Sequence, residues 1–526
     1  MTNTIADIET SDMILVVGSN TTENHPVLSA FVKRATLKGK KLYIIDPRKI
    51  KLTEYADKWL RPLPGTDIAW INGLMHIIIK EDLQNKTFIK NRTENFDALK
   101  TSVEKYTPEY VEKITGIKGE DLIEVAKAFA KAPAASILYC MGITQHTCGT
   151  DNVKSLANLS MLCGHIGKPG TGVNPLRGQN NVQGACDMGG LPNVFTAYQP
   201  VSDEKARTGM EKAWNITGLS PAPGLAVTEM IQKAYEGKLK ALFIIGENPM
   251  MSDPDLNHAR KALNKLDFLV VQDIFETETT QLADVVLPAL CFAEKNGTFT
   301  NTERRVQRVR KAVAPPEEAR EDWQIICDIA GRMGYEMTFA SSHDIFKEIA
   351  SVTPSYRGIT WERLDKAGIH WPCPTEAHEG TPILHTTQFT RGKGLFHVID
   401  HTPPAELPDM EYPLILTTGR VLYHYHTGTM TMKTQGLNIL SPECFVEISL
   451  ADAEKLGLDT GTMVSVSSRR GKISAKLKIS SKAVEGTVFI PFHFAEAAAN
   501  ELTNAKLDPT AKIPEYKVCA IKIETV

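Results

Sequence analysis

Met13-Ile14-Leu15-Val16-Val17-Gly18-Ser19-Asn20 decides the fold. Five consecutive apolar residues, two of the last β-branched, suit a strand covered on both faces, and glycine then turns the chain. Pro26 through Lys38 follows with amphipathic helical spacing, and Leu42-Tyr43-Ile44-Ile45 is a second buried strand ending on Asp46-Pro47-Arg48. The same pattern returns at Ala241-Leu242-Phe243-Ile244-Ile245, Gly246-Glu247-Asn248-Pro249, a helix near Leu256 to Leu266, and Phe268-Leu269-Val270-Val271 closing on Gln272-Asp273. Two βαβ units with glycine after the first strand and aspartate after the second predict doubly wound α/β domains. Each could hold a nucleotide, the glycine admitting a close ligand and the acid accepting hydrogen bonds from a ribose or purine edge. Neither has the full G-x-G-x-x-G, which disfavours an ordinary NAD site. The bland alternative for either unit alone is plain sheet architecture; the duplication favours two nucleotides or one two-headed cofactor.

Between and around these units, helical segments are predicted at 108–131 and 152–163, and a strand over 136–139 enters Met141-Gly142-Ile143-Thr144-Gln145. From about Pro403 the texture changes to short alternating runs, such as Met463-Val464-Ser465-Val466-Ser467, split by Arg470-Gly471 and Glu485-Gly486. That predicts a β-rich terminal domain closed as a small barrel, entered through the Pro- and acid-rich stretch 401–411. The stretch Gly170 to Gly190 is crowded with glycine and side-chain amides, carries the single arginine Arg177, and has neither helical nor strand period. It reads as a long loop whose polar groups are satisfied by a large polar ligand, against the alternative of a surface linker.

Composition narrows the class. A chain of 526 residues with net charge −3 and interspersed charges offers no basic face for nucleic acid. No apolar run reaches membrane-spanning length, so no membrane insertion is expected. Nine cysteines without C-x-x-C spacing fit a reducing compartment and argue against a disulfide framework or a cubane cluster ligated within this stretch.

Leu176-Arg177-Gly178-Gln179-Asn180-Asn181-Val182-Gln183-Gly184-Ala185-Cys186-Asp187-Met188-Gly189 resembles the active-site segment of molybdenum- or tungsten-dependent formate dehydrogenases. These are oxidoreductases that bind two molybdopterin guanine dinucleotides on one metal (bis-MGD). Further matching stretches are Pro64-Gly65-Thr66-Asp67, 164–170, 283–288, 296–305, Thr418-Gly419-Arg420, and the pair 500–503 and 514–517. The resemblance implies a DMSO reductase-like molybdopterin oxidoreductase fold. Its expected parts are an α/β domain over 1–179, half of a second over 180–290, segments over 291–402 that pack on an iron–sulfur region, and a dinucleotide-binding β-barrel over 403–526.

Arg177 and Gln179 are expected in the substrate pocket, because a guanidinium presents a planar fork to a carboxylate such as formate. The alternative for Arg177 is a pterin-phosphate contact. Expected cofactor contacts are Gly18, Asn20, Asp46, Arg48, Gly65, Asp67, Met141, Gln145 and Gly178; Gly246, Asn248, Gln272 and Asp273 on the second unit; and Arg420, His424, His426, Thr427, Asn500, Tyr516 and Lys517 from the barrel. A zinc-type site is the alternative for His424-Tyr425-His426, and Cys186 reads as a structural thiol rather than a metal ligand.

The implied reaction is reversible two-electron oxidation of formate to CO2, with electrons passing to a 4Fe-4S cluster. Expected partners are iron–sulfur electron-transfer subunits or ferredoxin, or NAD-reducing or hydrogenase subunits, in the cytoplasm unless a targeting signal lies upstream. In the family, the cluster and a selenocysteine or cysteine metal ligand followed by histidine precede the segment that Met1-Thr2-Asn3-Thr4-Ile5 resembles. The chain is therefore expected to start downstream of its metal ligand, through a selenocysteine codon read as stop or through truncation. The competing readings are a catalytically empty pterin-binding or assembly subunit and a relative acting on another oxyanion.

Overall fold

A computed structural model describes all 526 residues. The chain divides into two compact units: residues 1–176, 251–257 and 383–526 form one, and residues 177–250 and 258–382 form the other.

The first unit is built on a parallel sheet of β1 (Met13–Val17), β2 (Lys41–Ile45), β3 (Lys58–Leu60), β4 (Ala135–Tyr139) and β5 (Gly172–Pro175), in the order β3-β2-β1-β4-β5. The unbroken apolar run of β1 serves two cores. Met13, Leu15 and Val17 pack with Leu74, Val125 and Leu159, which belong to helices α2 (Asp67–Lys80), α3 (Gly119–Lys131) and α4 (Gly149–Cys163). Ile14 and Val16 pack on the other face with Leu28, Val32 and Ala35 of α1 (Pro26–Leu37). A strand buried on both sides is what the sequence of β1 predicts, and it makes the sheet doubly wound.

Two expectations need correcting here. The helix expected over 108–131 is two helices, Pro108–Thr115 and Gly119–Lys131. Gly116 ends the first in the left-handed region (φ 73°), its N–H closing onto Glu112 O at 2.9 Å. The stretch 170–190, expected as a loop, contains β5, which pairs in register with Ser136 to Tyr139, and the helix α5 (Val182–Asp187). Both elements are stabilised by partners far away in sequence.

The same unit carries a closed barrel of β11 (Leu414–Gly419), β12 (Phe445–Ile448), β13 (Met463–Ser467), β14 (Lys472–Ile479), β15 (Thr487–Pro491) and β16 (Cys519–Thr525), ordered β11-β15-β12-β14-β13-β16. Strand β14 shows the period of two most cleanly: Ile473, Ala475 and Leu477 are buried while Lys472, Ser474 and Lys476 are exposed.

In the second unit, β6 (Ala241–Ile245), β7 (Phe268–Asp273) and β8 (Val285–Pro288) form a parallel sheet. Ile244, Leu269 and Val271 are buried against Ile231, Ala234, Ala259 and Ala262. Phe243, Ile245, Phe268 and Val286 lie exposed. The second apolar run, read as a repeat of the first, is therefore covered on one face only. A hairpin of β9 (Gly297–Thr300) and β10 (Arg305–Val309) completes the part of this unit that matters below. No helix of the chain is long and apolar enough to cross a membrane.

Candidate functional site

In the first sheet the strand order reverses direction between β1 and β4, and in open α/β sheets ligands bind outside the carboxyl ends of the strands at such a point. The local sequence holds it open. β1 ends at Val17 and the chain turns at Gly18 with φ 53°, while the loop after β4 crosses it at Gly142, whose N–H donates to Gly18 O at 3.0 Å. A Cβ on Gly18 would sit 2.8 Å from the Gly142 carbonyl carbon, and one on Gly142 would sit 2.6 Å from Gly18 Cα. Only a glycine pair lets these two loops touch.

Above the crossing lies a cleft lined among others by Gly18, Asn20, Asp46, Arg48, Gly65, Asp67 and Met141, and from the barrel side by Arg420 and Lys517. Nine of the residues singled out in the sequence therefore share one cavity. Its electrostatics are set by burial. Asp46 accepts the Arg48 backbone N–H at 2.9 Å, yet burial pushes its carboxyl up to about 6 against the pull of Arg48 and Lys517. Asp67 is pushed by burial to about 7, with the Trp70 indole N–H at 3.2 Å opposing. Burial lowers Lys517 to about 8 although its ammonium donates to Thr418 O at 2.6 Å. The Arg48 guanidinium lies 3.5 Å from the Phe489 ring centre and 2.5 Å from Glu447 Oε1.

This donor and acceptor set fits a nucleotide that carries phosphates. Arg48, Arg420 and Lys517 are cationic donors of the kind phosphate oxygens accept from, and the two buried carboxyl groups are acceptors of the kind base or ribose N–H and O–H groups need. Asn20 Oδ1 is buried without a hydrogen-bond partner, an acceptor that a bound N–H would satisfy. Sequence reasoning missed His146, Thr418 and Phe489 in this lining. His146 donates through Nε2 to Gly142 O at 2.9 Å, and burial lowers it to about 4, so it is neutral. Its position one residue after Gln145 was the only available signal.

Other predicted contacts are placed elsewhere. Gln145 caps the short turn Met141–Thr144, its N–H on Met141 O at 3.0 Å, and does not line the cleft. Tyr516 donates from its hydroxyl to Ser252 O at 2.7 Å, and Asn500 donates to Met251 O at 2.8 Å. His424 is buried with Nδ1 at 3.2 Å from Thr431 Oγ1 and Nε2 at 2.8 Å from Ser441 O. Thr427 bonds Thr429 at 3.0 Å, and the His426 carbonyl accepts from the His493 ring.

In the second unit, Gly246, Asn248, Gln272 and Asp273 gather at the carboxyl ends of β6 and β7. Gly246 N–H donates to Gln272 O at 2.8 Å, and Asn248 accepts from the Thr279 hydroxyl at 2.6 Å while donating to Glu278 at 2.8 Å. Gln272 donates to Asp322 at 2.8 Å, and its Oε1 is buried without a partner. Burial raises Asp273, against hydrogen bonds from the Ile274 and Phe275 backbone. Arg177, Gly178 and Gln179 lie half-buried in a loop before α5, with the Arg177 N–H donating to Thr302 Oγ1 at 3.1 Å. Cys186 is a free, half-buried thiol on α5.

Comparison with known proteins agrees with this geometry. The molybdopterin oxidoreductase family matches residues 1–332, and the molydopterin dinucleotide binding domain matches residues 414–520. The chain is 55% identical over 530 residues to "F420-dependent formate dehydrogenase subunit alpha" of Methanocaldococcus jannaschii, covering 100% of this chain and 78% of that one. It is 39% identical over 532 residues to "Formate dehydrogenase H" of Escherichia coli, covering 100% of this chain and 74% of the relative. Among solved structures, acetylene hydratase from Pelobacter acetylenicus superposes with a TM-score of 0.79 at 21% identity, over 99% of this chain and 81% of the other, a likeness of fold. On the evidence of its α/β domain and barrel and of these matches, the chain belongs to the molybdopterin oxidoreductase family.

Proposed function

We propose that the chain is the catalytic subunit of a formate dehydrogenase, carrying out reversible two-electron oxidation of formate to CO2 at a molybdenum or tungsten bis-MGD centre. The observation that carries this reading is similarity over the whole chain to relatives named formate dehydrogenase subunits, together with Arg177 in the segment before α5. When bound, the metal–pterin group supplies the redox chemistry. The chain's own part is binding and orientation. The cleft at Gly18 and Gly142 holds one guanine nucleotide, with Asp46 and Asp67 as acceptors and Arg48, Arg420 and Lys517 on the phosphates. The carboxyl ends of β6 and β7 hold the other, through Gln272 Oε1 and Asp273. Arg177 grips the formate carboxylate with its planar fork, and Gln179 forms the pocket wall.

An electron-transfer partner subunit would take up the electrons, and an iron–sulfur cluster would supply the one-electron relay to it. Three relatives are named as F420-dependent, which favours an F420-linked partner over ferredoxin, NAD-reducing or hydrogenase subunits. Nine free cysteines fit a reducing cytoplasm. The test is anaerobic purification of the protein with its cofactor, followed by assay of formate-dependent dye reduction and of guanine nucleotide released by acid. Formate-dependent reduction with two guanine nucleotides per metal supports the reading; bound nucleotide with no response to formate contradicts it.

A further inference from the structure

Asp187, at the end of α5, is buried and takes no part in the roles assigned above. Three donors converge on its carboxylate: Tyr356 OH on Oδ2 at 2.6 Å, and Gln183 Nε2 at 2.8 Å and Tyr198 OH at 3.0 Å on Oδ1. Gln183 also donates to Tyr198 OH at 2.9 Å. Because Tyr356 gives its one hydroxyl proton to Asp187, the Thr300 hydroxyl 2.9 Å away must donate to Tyr356. Tyr198 reaches this position through strained backbone, since Ala197 and Tyr198 both have positive φ, 56° and 58°. Such strain persists only where surrounding contacts over-determine it.

The chain leads from this network to the Arg177 loop. Thr300 N–H donates to Asn181 Oδ1 at 2.8 Å, and Thr302 Oγ1 accepts the Arg177 N–H at 3.1 Å. Both ends of the five-residue stretch Arg177 to Asn181 are therefore fastened to one short segment, Thr300 to Thr302. That segment is fixed in turn by Arg304, whose buried guanidinium donates to the carbonyls of Trp371, Thr381 (2.9 Å) and Pro382 (3.0 Å). We propose that Asp187 and Tyr356 are positioning residues for substrate: their hydrogen-bonded chain through Thr300 sets the path of the Arg177–Asn181 loop and so the aim of the Arg177 guanidinium. This rests on the reading of Arg177 as the formate-binding residue.

Two measurements on the cofactor-loaded enzyme test it: amide hydrogen exchange of the peptide spanning 177–181, and the separate kcat and KM for formate. Asp187→Asn keeps the volume but replaces a three-fold acceptor by a group with one acceptor oxygen. It is expected to speed exchange in that peptide and raise the formate KM by about tenfold each, with kcat and pterin content within about threefold. Tyr356→Phe should shift both readouts in the same direction by a smaller factor, and the double variant should not exceed Asp187→Asn alone. Exchange and KM both within about twofold of wild type, with only a lower Tm, would overturn the proposal and leave the network a structural support. Should Asp187→Asn fail to fold, Tyr356→Phe decides by the same criteria. A wild-type enzyme that is inert to formate would overturn the formate reading instead, and the exchange measurement would still judge the positioning role.

Discussion

Arg48 and Glu447 form a nearly buried ion pair, Nη2 to Oε1 at 2.5 Å, that joins the loop after β2 to barrel strand β12, with their side chains 14% and 2% exposed. Phe489 of β15 stacks beneath the guanidinium. The pair brings a cationic group to the cleft and fastens the barrel to the sheet that shapes the opposite wall.

Breaking one side of it should be costly. Glu447→Ala leaves an uncompensated buried guanidinium, and a loss of about 3–5 kcal/mol is expected by chemical denaturation. Replacing both by Met should recover much of that stability, because two desolvated charges disappear together, while guanine nucleotide retention stays low. A single variant within about 1 kcal/mol of wild type would show that the pair is solvated in practice.

Asp46 and Asp67 give a pH dependence of unusual sign. Burial raises them to about 6 and about 7, so between about pH 4 and pH 7 the folded chain binds more protons than the unfolded one. Their contribution to stability is greatest below the unfolded value and declines as pH rises through the folded values. In cofactor-free protein, Asp46→Asn or Asp67→Asn should therefore raise Tm, and by more at pH 8 than at pH 5. The same variants should retain less guanine nucleotide in the loaded enzyme. A Tm gain that is equal at both pH values would show that the two carboxyls are not shifted.

The crossing of Gly18 and Gly142 can be isolated from simple backbone strain. Gly39 also has positive φ (82°), but a Cβ there meets nothing within 4 Å. Gly39→Ala should cost only the left-handed penalty, about 1–2 kcal/mol. Gly18→Ala adds a 2.8 Å approach to the Gly142 backbone, so it should cost clearly more in thermal denaturation and also lower nucleotide retention. Equal costs at the two sites would mean that the loops separate freely.

How much of this was legible in the sequence depends on how local the determinants are. β1 could be read because all five of its residues are apolar, and β14 because its exposure alternates residue by residue. Gly18 and Asp46 could be placed at strand ends for the same reason, and they do meet in one cleft. The order within 170–190 was not legible. Gly172–Pro175 is a strand only because Ser136 to Tyr139 lies alongside, and Asp187 finds its partner Tyr356 across 169 residues of sequence. The half-exposed state of β6 was hidden too, since Phe243 and Ile245 are as apolar as the residues of β1. Sequence pattern reports what a residue prefers, and the neighbour that satisfies or leaves it unsatisfied comes from the fold.

The claim that Arg177 captures formate by its planar fork is tested most directly by the kinetics of Arg177→Lys in the loaded enzyme. Lysine keeps the charge and loses the bidentate geometry, a loss of about 1.5–3 kcal/mol for a charge-assisted hydrogen bond. The prediction is a formate KM raised between roughly tenfold and a hundredfold, with metal and guanine nucleotide content unchanged. An unchanged KM, or a variant that purifies without its pterin, would contradict the account and assign Arg177 to the cofactor.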